Sequence, residues 1–175
     1  ILALCGGFGA VELAFAAPSL VVAVESPPKS MNPHSENGDA TLGVMTNIFD
    51  GLMQRQKLDG KIVPALAEKY EHPDPLTWKF YLRKGVKFHN GNPFTAADVK
   101  YTFERLINPE VSQFVNDGKA IASIETPDDY TVIVKTKDPI PWFIDNMHQV
   151  FIMNKASSES RSEGDIGVAP IGTGA

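Results

Sequence analysis

Apolar and polar residues alternate through residues 76–83. Leu76, Trp78, Phe80 and Leu82 fall on one side, and Thr77, Lys79, Tyr81 and Arg83 on the other. A period of two over this length predicts a strand with one buried face. Gly85 then permits a bend, Val86 and Phe88 resume the alternation, and Asn90-Gly91 supplies residues that tolerate positive φ in a tight turn. Thr95-Ala-Ala-Asp98 has the spacing of a capping box, in which two side chains satisfy the free N–H groups at a helix start. Val99, Phe103 and Leu106 follow as one apolar stripe, and Asn108-Pro109 stops the helix. Trp78, Phe80, Phe88, Phe94, Phe103, Trp142 and Phe143 have strand and helix spacings, so they read as core and not as a stacking platform.

The flanking segments extend the pattern. Residues 20–24 predict a short apolar strand, and residues 25–31 an extended stretch, because consecutive prolines fix φ and bias their predecessors away from helix. Asp39-Ala40-Thr41 offers a helix N-cap, with Leu42, Met45, Ile48, Phe49 and Leu52 as the buried face and Gly51 as the stop. Residues 54–63, centred on Asp59-Gly60, predict a hairpin. Residues 121–124 and 130–136 predict two strands about a Pro127-Asp128-Asp129 turn. Residues 142–147 predict a short helix, residues 150–153 one more strand, and the polar run SSESRSEG at 157–164 a solvated loop. The sum is a mixed α+β fold.

Composition narrows the function. The chain carries 16 basic and 21 acidic residues, a net charge of −5, and has no basic run. That argues against a nucleic-acid or anionic-membrane surface. Residues 1–16 are apolar, rich in small residues, and end in Ala14-Phe15-Ala16. This predicts the hydrophobic and cleavage regions of a secretory signal whose basic start is missing. A membrane span needs about 20 apolar residues, and Glu12 interrupts this stretch. Cys5 is the sole cysteine and follows Leu4, where a lipoprotein signal carries a small residue. Neither lipidation nor a disulfide is expected, although export implies an oxidising compartment.

The wording of residues 66–109, LAEKYEHPDPLTWKFYLRKGVKFHNGNPFTAADVKYTFERLINP, goes further than periodicity. It closely resembles the block GLAEKWE, strand, LRKGVKFHDGTPFTAxDV, helix of the family-5 extracellular solute-binding proteins, which serve peptide, nickel and related ABC importers. Three other passages resemble the same family. These are NPHSENGDATLGVMTNIFDGL at 32–52, IASIETPDDYTVIVKTKDPIPWFIDNM at 121–147, and Pro170-Ile-Gly-Thr-Gly174, which matches a PxGTGPY/F segment except that Ala175 replaces its proline. The resemblance implies the N-terminal part of a two-lobed periplasmic binding protein of the type II, peptide-binding class, mostly its inserted α+β subdomain. On that reading, residues 1–16 are the signal, 17–45 the first strand and loop of domain I, 46–168 the inserted subdomain, and 169–175 the start of the return into domain I. It also implies a periplasmic monomer that captures a peptide or small solute, hands it to an inner-membrane ABC permease, and needs no enzyme activity, cofactor or metal.

The resemblance points to Asn37, Gly38 and Asp39 as ligand-binding residues, because related peptide binders run an extended segment beside the ligand a few residues after their NP or DP pair. The physics is coherent. An extended backbone can pair with a peptide's N–H and C=O groups whatever side chains the peptide carries, and Gly38 permits close approach. The plainer alternative makes residues 36–39 a polar turn ahead of a helix cap.

Other chemistry is weaker. Ser26-Pro-Pro-Lys29 has the S-x-x-K spacing of penicillin-recognising enzymes, the competing reading being a periplasmic cell-wall-peptide hydrolase. That chemistry needs Ser and Lys on successive helical turns, which a Pro-Pro pair opposes. His34, His72, His89 and His148 lack metal-ligand spacing and read as mostly surface imidazoles. Asp74 with Glu71, and Asp128-Asp129, suit turns better than paired-carboxylate catalysis.

Overall fold

A computed structural model describes residues 28–35, 38–56, 58–114 and 118–174. The strand expected at residues 20–24, the expected signal at 1–16, and Ser26 lie outside them. Among the described residues the helices are α1 (Asp39–Ile48), α2 (Ala96–Leu106), α3 (Phe143–Asn146), α4 (Lys155–Ser158) and α5 (Glu163–Val168). The strands are β1 (Met53–Arg55), β2 (Ile62–Pro64), β3 (Ala67–Asp74), β4 (Thr77–Leu82), β5 (Ile121–Asp128) and β6 (Thr131–Thr136). β1 and β2 form a hairpin, and the other four make an antiparallel sheet in the order β3-β4-β6-β5.

The alternation in β4 sets one face of that sheet. Trp78, Phe80 and Leu82 are buried, and across the strand boundary Trp78 pairs with Val134 and Phe80 with Val132, both also buried. α2 lies against β5 and β6 and adds Val99, Phe103 and Leu106 to the same core. Each such side chain contributes roughly 1.5–3 kcal/mol by leaving water. A smaller cluster joins Met45 and Phe49 to Phe151, with the two rings 6.1 Å apart.

Turn chemistry is as the residues dictate. Gly60, Gly85 and Gly91 all have positive φ, and the Asp74 and Asp128 carboxylates each accept a backbone N–H two residues on. At the start of α2 the Asp98 carboxylate accepts the Thr95 amide at 2.9 Å and the Thr95 hydroxyl at 3.2 Å. Its other oxygen accepts from the Asn154 side chain and the Lys155 amide, at 3.1 and 2.9 Å. Asn154 in turn accepts from Asn90 and Asn92 of the tight turn. One buried carboxylate thus fastens the helix start, the Asn90-Gly91 turn and the start of α4 together.

The structure departs from the pattern reading in several places. β3 was not foreshadowed by alternation, because only Ala67 of its residues is buried and β4 supplies its pairing. Leu76 sits in the β3–β4 turn and is 38% exposed, so it leaves the buried stripe. α1 ends at Ile48, and Gly51 lies beyond it in extended chain. A Cβ at Gly51 would come within 2.5 Å of the Met147 carbonyl oxygen, so close backbone approach and not helix termination calls for glycine there. Residues 150–153 are buried but form no strand. Ile152 instead donates to the Asp50 carbonyl and Met153 to the Thr102 hydroxyl. Trp142 precedes a single helical turn and is 60% exposed, unlike the other six aromatics assigned to the core. The polar run at 157–164 is a loop only over residues 159–162. It spans the end of α4 and the start of α5, with Asn154 and Ser162 accepting N-cap hydrogen bonds from Ser157 and Asp165.

Asp98→Ala should lower unfolding free energy by about 2–4 kcal/mol, one part from the lost cap and the rest from buried donors left without an acceptor. Urea denaturation measures this, and a loss below about 0.5 kcal/mol would leave Asp98 with no such role.

Candidate functional site

The backbone leading to the predicted ligand segment is buried yet belongs to no helix or strand. Asn32 is 0% exposed, Pro33 is buried, and His34 is 1% exposed. Buried N–H and C=O groups must find partners, and this stretch takes them from distant parts of the chain. The Met31 amide donates to the Gly167 carbonyl in α5 at 3.0 Å, and the His34 carbonyl accepts from the Gln113 amide at 2.9 Å. Asn32 closes the turn on itself, its side-chain oxygen accepting the His34 amide at 3.2 Å. A Cβ at Gly167 would overlap the Ser30 hydroxyl, so α5 approaches this stretch as closely as backbone allows.

An ionic hydrogen-bond chain secures the turn. The Asn32 side-chain amide donates to Glu163 Oε2 at 2.6 Å, and Arg105 donates to both Glu163 oxygens at 2.9 and 2.7 Å. Two parallel N–H···O bonds from a planar guanidinium fix orientation as well as charge. The Arg105 hydrogen bonds, and after burial's opposing effect those from Asn32, hold the Glu163 carboxyl below the usual carboxylate range. α2, α5 and the turn at residues 32–35 are thereby joined at one carboxylate.

Gly38 follows as the N-cap of α1, exposed, with φ −71° and ψ 139°. Any residue adopts that conformation, and among the described residues an added Cβ would meet only Thr41 Oγ1, at 4.0 Å. The described part of the fold therefore makes no demand for glycine at this position. Among the described residues no side chain caps α1, so backbone N–H groups of its first turn have no intrahelical acceptor. Asp39 is the first residue of α1 and not its cap. Asn37 lies outside the described residues.

The other end of α1 is fixed by residues 172–174. The Gly174 amide donates to the Ile48 carbonyl at 2.9 Å, and the Thr173 hydroxyl donates to Asp50 at 2.9 Å. A Cβ at Gly172 would overlap the Ile48 carbonyl oxygen, and one at Gly174 would lie 2.5 Å from the Asn47 carbonyl oxygen. His89 clamps the same segment. Its amide donates to the Gly172 carbonyl at 2.9 Å, its Nδ1 accepts the Gly172 amide at 3.4 Å, and its Nε2 donates to the Gly174 carbonyl at 2.9 Å. The block at 66–109 and the GTG passage, separate in sequence, are thus one physical unit resting on the end of α1.

Among the remaining residues set aside earlier, Lys29 is not helical and Ser26 lies outside the described residues. His72 and His89 are exposed and His148 is half-buried, but His34 is fully enclosed, a departure from the surface reading. Its burial depends on α2 and the turn before Val150, which no local pattern encodes. Arg105, Glu163 and Asn32 were likewise missed. The spacing Ser162-Glu-Gly-Asp165, an N-cap followed by an acidic residue, was the one local signal that α5 existed.

The two kinds of glycine give opposite expectations. Gly38→Ala should change stability by no more than about 1 kcal/mol, the scale of an N-cap exchange. Gly172→Ala should cost upwards of about 2 kcal/mol, since the added methyl meets backbone that cannot swing aside. Denaturation of the two variants side by side decides it, and equal losses would contradict this placement.

Residues 61–175 match the family described as bacterial extracellular solute-binding proteins, family 5, middle. The periplasmic oligopeptide-binding protein OppA of Haemophilus influenzae is 35% identical over 136 residues, which is 67% of this chain and 25% of that protein. The glutathione-binding protein GsiB of Pectobacterium atrosepticum is 34% identical over 163 residues, 91% of this chain and 32% of that one. The structure superposes on that of NikZ from Campylobacter jejuni in complex with Ni(L-His) with a TM-score of 0.79 at 28% identity, covering 86% of this chain and 31% of that chain. The chain thus spans between a quarter and a third of the length of these relatives, and the structures it matches are two-lobed periplasmic binding proteins of type II. The match over the whole stretch from β2 to the GTG passage places this chain in family 5 of the bacterial extracellular solute-binding proteins.

Proposed function

We propose that this chain is part of the substrate-binding component of an ABC importer. It works in the periplasm as a monomer, capturing a peptide-like solute between two lobes and delivering it unchanged to a membrane permease. Residues 17–45 and 169–175 then belong to the first lobe, and residues 46–168 to a subdomain inserted in it. Capture by domain closure requires only that the ligand touch both lobes, so that its contacts favour the closed state. No bond is made or broken.

The observation that carries this reading is the open backbone at the start of α1. Gly38 is exposed, extended, and glycine without a conformational reason. A residue with no Cβ lets another main chain approach, and the uncapped N–H groups beside it suit a peptide carbonyl or carboxylate. Asn37, Gly38 and Asp39 are therefore the proposed ligand contacts on this wall. Relatives named for oligopeptides and for glutathione support a peptide-like solute.

Thermal unfolding of the intact gene product tests this against short peptides, glutathione, an opine and a nickel–histidine chelate. A ligand at a hundred times its Kd should stabilise the fold by about 2.7 kcal/mol, and peptides are the class expected to do so. Gly38→Trp should abolish the shift while leaving the unliganded melting temperature close to wild type. No stabilisation by any class, or full binding by the Trp variant, would overturn the assignment.

A further inference from the structure

His34 is the most anomalous side chain in the structure. Its ring is enclosed, and among the described residues neither Nδ1 nor Nε2 has a hydrogen-bond partner. It borders a cavity of about 10 Å³ shared with Leu106, Phe114, Asn146, Gln149 and Val150. An enclosed polar group without partners weakens a fold, and a ring-sized apolar side chain would fill the same space without that penalty. Packing alone therefore does not call for imidazole here. What distinguishes this position is its place in the chain. His34 lies in the turn at residues 32–35, whose first three residues are buried, four positions before Gly38 in the sequence.

We propose that His34 is a positioning residue for the Gly38 wall: its neutral, enclosed ring pins the turn at residues 32–35, and protonation of the ring releases that turn. The link to ligand affinity rests on the solute-binding reading, whereas the anchoring does not.

The charges that face the ring, among the described residues, are Arg105 from α2 and Glu163 from α5. The turn before Val150 contributes only the uncharged Asn146 and Gln149 to the cavity. Burial first, and then the Arg105 guanidinium, push the His34 pKa from 6.5 down to about 3, with Glu163 opposing them. A released turn returns the ring to water, where it titrates near 6.5. Between these values the open turn binds a proton that the closed turn refuses. The stability of the closed turn is thus complete above pH 6.5, declines as pH falls, and stops declining below about 3. Each unit of acidification in this window should raise the open population about tenfold. Glu163 begins to take up protons below its ordinary value of 4.5, so the interval from 4.5 to 6.5 separates His34 from Glu163.

Hydrogen exchange on the intact gene product reads this directly. The Met31, His34 and Gln113 amides bracket the turn, and the Phe80 amide in the central strand β4 reports global unfolding. In wild type, protection of the turn amides should fall about tenfold per pH unit below 6.5 after correction for intrinsic rates. It should be flat with pH in His34→Phe, and in His34→Leu should the larger ring not be accommodated. Equal slopes in wild type and these variants, or turn amides that exchange no faster than Phe80, would overturn the proposal. Affinity for trialanine and glutathione supplies the second arm. His34→Ala, which empties the anchor, should weaken binding about tenfold or more by depleting the competent turn, while His34→Phe stays within about twofold of wild type. Unchanged affinity in His34→Ala would remove the positioning role. If wild type binds neither probe, the solute-binding reading fails, and the exchange slopes alone decide whether His34 is the anchor.

Discussion

A buried stretch of backbone outside any helix or strand can exist only if every N–H and C=O it hides finds a partner. The turn at residues 32–35 is such a stretch, and much of the surrounding architecture answers its demand. α5 folds back so that Gly167 reaches Met31 and Glu163 reaches Asn32, and the chain after α2 returns so that Gln113 reaches His34. Arg105 then fixes Glu163 from the end of α2. Helices that look peripheral in the chain are thereby the supports of one irregular turn.

The opposite end of α1 is handled in the same manner. Residues 172–174 lie so close to the α1 terminus that only glycine fits at 172 and 174, and His89 holds the segment with both ring nitrogens. Asp98 plays the corresponding part for the Asn90-Gly91 turn and α4. Three polar side chains, Glu163, His89 and Asp98, each join segments far apart in sequence. Residues 172–174 thus hold the C-terminal end of α1, and Met31 beside the turn packs against the cluster around Met45 of that helix and Phe49.

The parts legible in the sequence are those whose cause is local. β4 announced itself through alternation, α2 through its capping box and stripe, and the hairpins through Asp59-Gly60 and Asn90-Gly91. The parts that were not legible have causes that lie elsewhere in the chain. β3 is mostly exposed and exists because β4 offers it an edge. Gly51 faces Met147, and the chain at residues 150–153 is placed by Asp50 and Thr102, which accept the Ile152 and Met153 amides. The polar run at 157–164 hid the end of α4 and the Ser162 cap of α5 inside a composition typical of loops. For the candidate site, resemblance supplied Asn37, Gly38 and Asp39, and residue chemistry supplied a reason for Gly38. The Asn32–Glu163–Arg105 chain and the enclosed His34 could not be read, since they depend on α5 and α2 arriving at the same turn.

That convergence is the central physical claim, and a double-mutant cycle tests it most directly. Asn32→Ala, Glu163→Ala and the combined variant of the intact gene product would be unfolded in urea under identical conditions. Side chains that share one network should show a coupling of about 1–3 kcal/mol, the loss of Asn32 costing little once Glu163 has been removed. Losses that simply add, within about 0.5 kcal/mol, would mean that α5 and the turn at residues 32–35 are neighbours without being anchored to each other.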